Sequence, residues 1–394
     1  MRYKYWIFLL AVLLLAACSG DGDSGQPGSV PDIPSPTPGN PDNPSKPDVT
    51  DSPLQLISLT RAALPGGVHM AGDDTKGNEK ELSPIQIFLT GETGNNKREG
   101  QIIYDEDEKT WNSSIGVKDN TTCLYGFAPA TVASCTINPL DGKTSYLDGA
   151  KLTLSNINSV TGDDLCVIVG VQHHWKDDDI TKPVWTSEDP EKGNLGVFSF
   201  KKEAKNYISL LLDHLYGRID FKFYVGEEYS QWRIIKVKKV ELLSTTKVTG
   251  LTVNLMANKG NHPIADDGIK YEYSTVAAGV TGVLYDSSTD TDTNGKQLQT
   301  VNGDAVVIPG FFAPVSKEVS GLSLVCTYDV YTIVNNNIGT RVRENCTATN
   351  KLQLIPNVQR GKKWTVNLTV EPTYLYQLSD DELDNPTVIV SSQN

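Results

Sequence analysis

Near its C-terminal end the chain reads WTVNLTVEP, in which Trp364, Val366, Leu368 and Val370 alternate with Thr365, Asn367, Thr369 and Glu371. A period of two puts every apolar side chain on one face of an extended strand, which helical geometry cannot do. GRIDFKFYV repeats the pattern with Ile219, Phe221, Phe223 and Val225. SPIQIFLT, AKLTLSNI, GVFSF, AVVIPGFF and LSLVCTYDVYTIV read as further short strands, parted by turn-forming stretches such as TGETGNNKREG and DSSTDTDTNGKQ. Many short strands with this punctuation pack as sandwiches rather than as a parallel sheet, so an all-β fold is predicted. One stretch breaks the pattern. In YISLLLDHL, Ile208, Leu211, Leu212 and Leu215 fall at i, i+3, i+4 and i+7, which predicts a short helix or turn ahead of GRIDFKFYV.

The first fifty residues belong to none of these strands. Arg2 and Lys4 precede an apolar run from Trp6 to Leu15, too short to span a bilayer with comfort, and LAAC follows. This arrangement resembles a bacterial lipobox. It implies a signal peptide over 1–17 and a diacylglycerol on Cys18, whose buried methylenes hold a protein to a membrane at roughly 0.8 kcal/mol each. From Ser19 to Pro53 there are nine prolines, six aspartates, one lysine and no aromatic residue. Such a segment has too little apolar surface to offset its ordering entropy, so residues 18–53 are expected to form a disordered, extended tether. The acidic run SGDGD after the cysteine resembles the surface-export signal of Bacteroidetes lipoproteins. About 340 residues remain, enough for two domains, expected at 54–205 and 206–394. A net charge of −13 argues against nucleic acid as a partner.

Cys18 aside, five cysteines are left. Cys326 and Cys346 are placed symmetrically about Asn336 in an expected hairpin turning at VNNNIG, and Cys123 and Cys135 flank a shorter loop around Pro129. Both pairs are candidate disulfides. Cys166 lies inside LCVIVGV and reads as a small buried hydrophobe. No cysteine spacing suits zinc. His173 and His174 precede Trp175 and an acidic run, and a solvated loop is expected there rather than a metal site. DTDTNG at 290–295 matches half of a calcium loop, but its twelfth position is Val301, so a plain acidic turn is expected. Five tryptophans (111, 175, 185, 232 and 364) offer a sugar-stacking platform in principle, although core packing is the commoner fate. GDSG at 22–25 lies in the tether, where nothing can position a base. No nucleophile, base and orienting group assemble from motifs, so neither an enzyme nor a metal or other cofactor is expected.

Several features converge on one resemblance. After the lipobox and tether come LQLISLT, an arginine in SLTRAALPGG, then YGFAPA, SLLLDHLYGRIDFKFYV, IPGFFAPVS and IPNVQRGKKWTVNLTVEPTYLY. The order resembles the fimbrillin (Mfa-like) family of Bacteroidetes type V pilus subunits over essentially the whole chain. The resemblance implies two β-sandwich domains of transthyretin-like topology. It also implies a lipoprotein on the outer membrane, cut by a trypsin-like protease and assembled with other pilus subunits at the cell surface in a fimbrium. Cleavage would fall between Arg61 and Ala62 and remove the strand 54–60, whose plugs would be Leu54, Leu56 and either Ile57 or Leu59. A neighbour's C-terminal strand would fill the gap. The donor would be TYLYQL, through Tyr374, Tyr376 and Leu378, or TVIV, through Val388 and Val390. The alternative is a surface lipoprotein that never polymerises and binds carbohydrate or a host ligand.

Overall fold

The computed structural model describes residues 52–61, 79–95, 97–157, 164–174, 194–195, 206–256, 264–291, 293–314, 316–319, 322–352, 355–371 and 387–393. The predicted strand GVFSF, the tryptophans at 175 and 185, Cys18, Ala62 and the TYLYQL segment lie outside them. The described residues are mostly extended, and the all-β expectation holds. Two four-residue helices, α1 (Glu79–Leu82) and α2 (Glu227–Ser230), and one 3-10 turn are the helical segments among them.

The first sheet runs in the order β4 (Thr110–Ser113), β3 (Arg98–Asp105), β2 (Ile85–Thr90), β6 (Cys123–Ala128), β9 (Cys166–His174), β11 (Asn206–His214), β1 (Ser52–Arg61) and β5 (Gly116–Val117), with β10 (Asn194–Leu195) also on β9. A second sheet follows β16 (Val306–Pro314), β12 (Tyr216–Val225), β21 (Lys363–Glu371) and β22 (Thr387–Gln393). A third follows β19 (Asn337–Leu352), β18 (Leu322–Val334), β13 (Arg233–Met256), β8 (Gly149–Ser155) and β7 (Ser134–Pro139), and β14 (Ile264–Asp286) and β15 (Lys296–Gln297) both pair with β13. A small pair joins β17 (Ser316–Val319) to β20 (Ile355–Val358). Most pairs are antiparallel; β1 on β11 and β12 on β21 are parallel.

The alternation read from sequence is what fills the cores. Ile219, Phe221, Phe223 and Val225 are all buried, and they meet Val366, Leu368 and Val370 from the parallel neighbour β21. Phe221 stacks on Phe311 with ring centroids 6.3 Å apart. The close approach of β16 to β12 there requires Gly310, because a Cβ would fall 1.3 Å from the carbonyl oxygen of Ile219. Two clusters of buried side chains result. One runs from Leu54 to Tyr216 and takes in Leu251, Val253, Leu255 and Ile264; the other runs from Ile219 to Val370. The 24-residue β13 therefore serves both, through Leu251 and Val253 in the first and Val237 and Val240 in the second.

Two expectations are corrected. YISLLLDHL is not a helix: its residues 207–214 lie within β11, every residue of which except Tyr207 is buried, and Leu215 follows the strand. A strand covered on both faces needs a continuous apolar run, and such a run also contains helical spacings by chance. The disulfides are not formed either, since all five body cysteines are thiols. The VNNNIG hairpin is real, with Asn335 and Asn336 at φ 51° and 60°, the left-handed pair that a two-residue turn needs. Three register shifts then intervene along β18 and β19, so Cys326 faces Ala348 while Cys346 faces Tyr328. Cys123 and Cys135 lie on β6 and β7, in different sheets. Burial pushes the Cys135 and Cys326 thiols up to about 12.

Candidate functional site

The segment singled out at the start of the folded chain is β1. It lies parallel to β11 from Leu54 opposite Asn206 to Arg61 opposite Leu212. On its other side it pairs with β5 only at Ser52 and Pro53, and the amide of Leu54 reaches the carbonyl of Ile115 at 3.4 Å. Leu54, Leu56 and Leu59 are 2%, 4% and 8% exposed, while Ile57 is half-buried. The sequence left the third plug open between Ile57 and Leu59. A bulge between Leu56 and Ser58 decides it, because the extra residue shifts the inward phase from even to odd positions. Each buried leucine contributes about 1.5–3 kcal/mol relative to exposure.

The same shift turns Arg61 inward. The resemblance implied an arginine open to a protease. Its side chain is instead 5% exposed at the last position of the strand. Its Nη1 donates to Asp164 Oδ2 at 3.0 Å. His214 Nδ1 lies 2.7 Å from the same oxygen, and Cys166 Sγ lies 3.8 Å from His214 Nδ1. These groups meet because three neighbouring strands end together: β9 begins at Cys166, β11 finishes at His214, opposite Cys166, and β1 finishes at Arg61. At the other end of β1 the side-chain amide of Asn206 donates to Ser52 Oγ at 2.6 Å. So β1 is held by three leucines between two polar pins. Next door, Arg360 donates to the fully buried Asp213 at 3.1 Å.

Asp164, Cys166 and His214 have ligand atoms within 4.8 Å of one another, close enough for one metal ion. The donor set fits poorly with Arg61 in place, because a divalent ion would sit beside a guanidinium already bound to the same carboxylate. Sequence reading missed Asp164 and His214. The available signals were an acidic residue at the head of an apolar run and a polar doublet, Asp213–His214, inside another.

The histidine pair also departs from expectation, since His173 and His174 end β9 rather than lying in a loop. His174 is buried, with Nε2 at 3.0 Å from Ser209 Oγ. Burial pushes the pKa of His173 down from 6.5 to about 4. In that window the unfolded chain binds a proton that the folded chain refuses, so stability falls as pH drops from about 6.5 to about 4. Urea unfolding at a series of pH values should show this slope, and His173→Asn should flatten it.

At the far end of the chain, Val388 lies opposite Val370 and Val390 opposite Leu368, so the TVIV segment pairs with β21 of its own chain as an edge strand.

Neither a family model nor a curated protein matches the sequence. Among solved structures the chain is similar to a fimbrial protein from Bacteroides vulgatus, at 14% identity over 86% of this chain and 98% of that one, with a TM-score of 0.38. It is similar also to a candidate cell adhesion protein from Bacteroides fragilis, at 8% identity over 86% and 97%, with a TM-score of 0.35. A third, from Parabacteroides distasonis, shows 13% identity over 79% and 94%, with a TM-score of 0.32.

Proposed function

We propose that this chain is an adhesive pilus subunit of the bacterial cell surface. It is exported as a lipoprotein on Cys18, released by a cut after Arg61 and joined to neighbouring subunits by strand exchange. The observation that carries the reading is β1. It is a strand with little pairing on its β5 side, plugged into the core by three leucines, and it ends at the arginine that closes the segment from lipid to strand. Its removal would leave open the edge of β11 and the space its three leucines fill. Backbone pairing on such an edge supplies affinity, and alternate side chains supply register. β22 sits at the edge of its own sheet, which is where a strand that must leave its subunit costs least.

Mass spectrometry of the protein from the native cell surface tests this directly. A mature N-terminus at Ala62, with a lipidated precursor beginning at Cys18, is the expected result. Cys18→Ala should remove the precursor from the membrane fraction. Deleting residues 373–394 should spare the cut and abolish ladders of linked subunits on unboiled denaturing gels. A surface form that keeps residues 18–61 throughout, or ladders that persist without the tail, would leave the reading without support.

A further inference from the structure

We propose that the groove vacated by β1 selects an incoming strand carrying an arginine or lysine at the level of Asp164, and that the C-terminal segment of this same chain is a poor fit. The proposal rests on the strand-release reading above. It adds the chemistry of the partner.

The argument begins with what Arg61 leaves behind. Asp164 is 8% exposed, and it is flanked by Leu165 and Cys166, both fully buried. Its Oδ2 takes both Arg61 and His214, while its Oδ1 is buried with no hydrogen-bond partner. A carboxylate in such a place is tolerable because a cation sits on it. If the chain is cut after Arg61, that cation departs with the leucines of β1. His214 keeps its contact with the same oxygen, and Arg360 is engaged with Asp213, so neither replaces the guanidinium. A strand that restores only the apolar plugs would seal the carboxylate under itself with His214 but without the guanidinium.

The chain's own tail is such a strand. Residues 373–394 read TYLYQLSDDELDNPTVIVSSQN. They contain alternating apolar residues but no lysine, arginine or histidine, and they carry Asp380, Asp381, Glu382 and Asp384. Against Asp164 this segment brings either nothing or a like charge. The groove is therefore matched to a different chain, one whose donor strand has a basic residue next to its last plug. Discrimination of this kind works by penalising the wrong partner as much as by rewarding the right one. Losing one member of a buried, hydrogen-bonded charge pair is worth about a hundredfold in affinity.

The test uses the full chain with a recognition site for a sequence-specific protease placed within residues 62–78, so that β1 is severed without relying on the natural cut. The nicked protein, in EDTA so that no metal replaces the cation, is challenged with labelled peptides. One is residues 54–61, LQLISLTR; the others are its Arg61→Lys and Arg61→Gln forms and the tail 373–394. The arginine peptide should displace β1 and bind about a hundredfold more tightly than the glutamine form, with lysine between them. The tail should bind at least tenfold more weakly than the arginine peptide. In an Asp164→Asn body the arginine and glutamine peptides should differ by less than threefold. The peptide series in the unaltered body decides the matter even if that variant does not fold. Displacement by all peptides alike leaves strand release standing and overturns the selectivity. Failure of every peptide to displace β1 removes strand release itself, and the proposal with it.

Discussion

Asp164→Ala is expected to destabilise the folded chain by about 3–5 kcal/mol, read as a shift of the urea midpoint at unchanged slope. The substitution removes few contacts of its own. Its cost comes from Arg61, whose guanidinium stays in the core at 5% exposure with its carboxylate gone. Double replacement with apolar residues, Arg61→Met with Asp164→Leu, should recover most of the loss, because neither charge then needs compensation. A loss below about 1 kcal/mol for Asp164→Ala would show that the pair is screened by solvent and that Arg61 is not a buried cation in solution.

The second large effect concerns proteolysis. A trypsin-like protease must take an arginine side chain into its own pocket with extended backbone on either side. While Arg61 is paired to Leu212 across the ladder and bonded to Asp164, its side chain and the strand that leads to it are both engaged. Cutting therefore has to wait for the end of β1 to open, and its rate follows the population of the open form. Trypsin acting on the native chain should cut after Arg61 on the order of a hundred times more slowly than on the urea-unfolded chain. Asp164→Asn should remove most of that protection, since about 2.7 kcal/mol of opening energy corresponds to a factor of 100. Equal rates in the wild type and the variant would mean that the bond is reached without releasing the side chain. Processing before folding is complete would avoid the barrier altogether. A pulse of protease during refolding distinguishes the two routes by where the fast cut occurs.

What could be read from sequence was whatever depends on local period. The alternation in GRIDFKFYV and WTVNLTVEP placed β12 and β21 and their buried faces, and the asparagines of VNNNIG placed the β18–β19 turn. What could not be read depends on neighbours. β11 looks helical because a central strand is apolar on both faces, and only its place between β9 and β1 distinguishes the two. The candidate Cys326–Cys346 bond was a matter of counting residues, and three register shifts that leave no local signature undo the count. Likewise β1 was read as a strand, and Leu54, Leu56 and Leu59 are buried in it, whereas its arginine was read as the residue a protease would cut. The partners that bury it, Asp164 and His214, stand more than a hundred residues away in the chain. No pattern within the SLTRAALPGG stretch announces a carboxylate that arrives from the residues just ahead of β9.

The bulge in β1 has a mechanical corollary. Below it the inward side chains are Leu54 and Leu56; above it they are Leu59 and Arg61. The groove thus carries two half-patterns offset by one residue, like two combs set slightly out of step. A strand of strict alternation, such as the 374, 376, 378 series, can mesh with one comb and must point its remaining side chains outward along the other. To mesh with both, a replacement has to surrender one residue at the same height. On the strand-exchange reading, the groove would measure where a strand stutters as well as how greasy it is. Two segments of identical composition, differing only in the position of a single inserted residue, would be told apart by it.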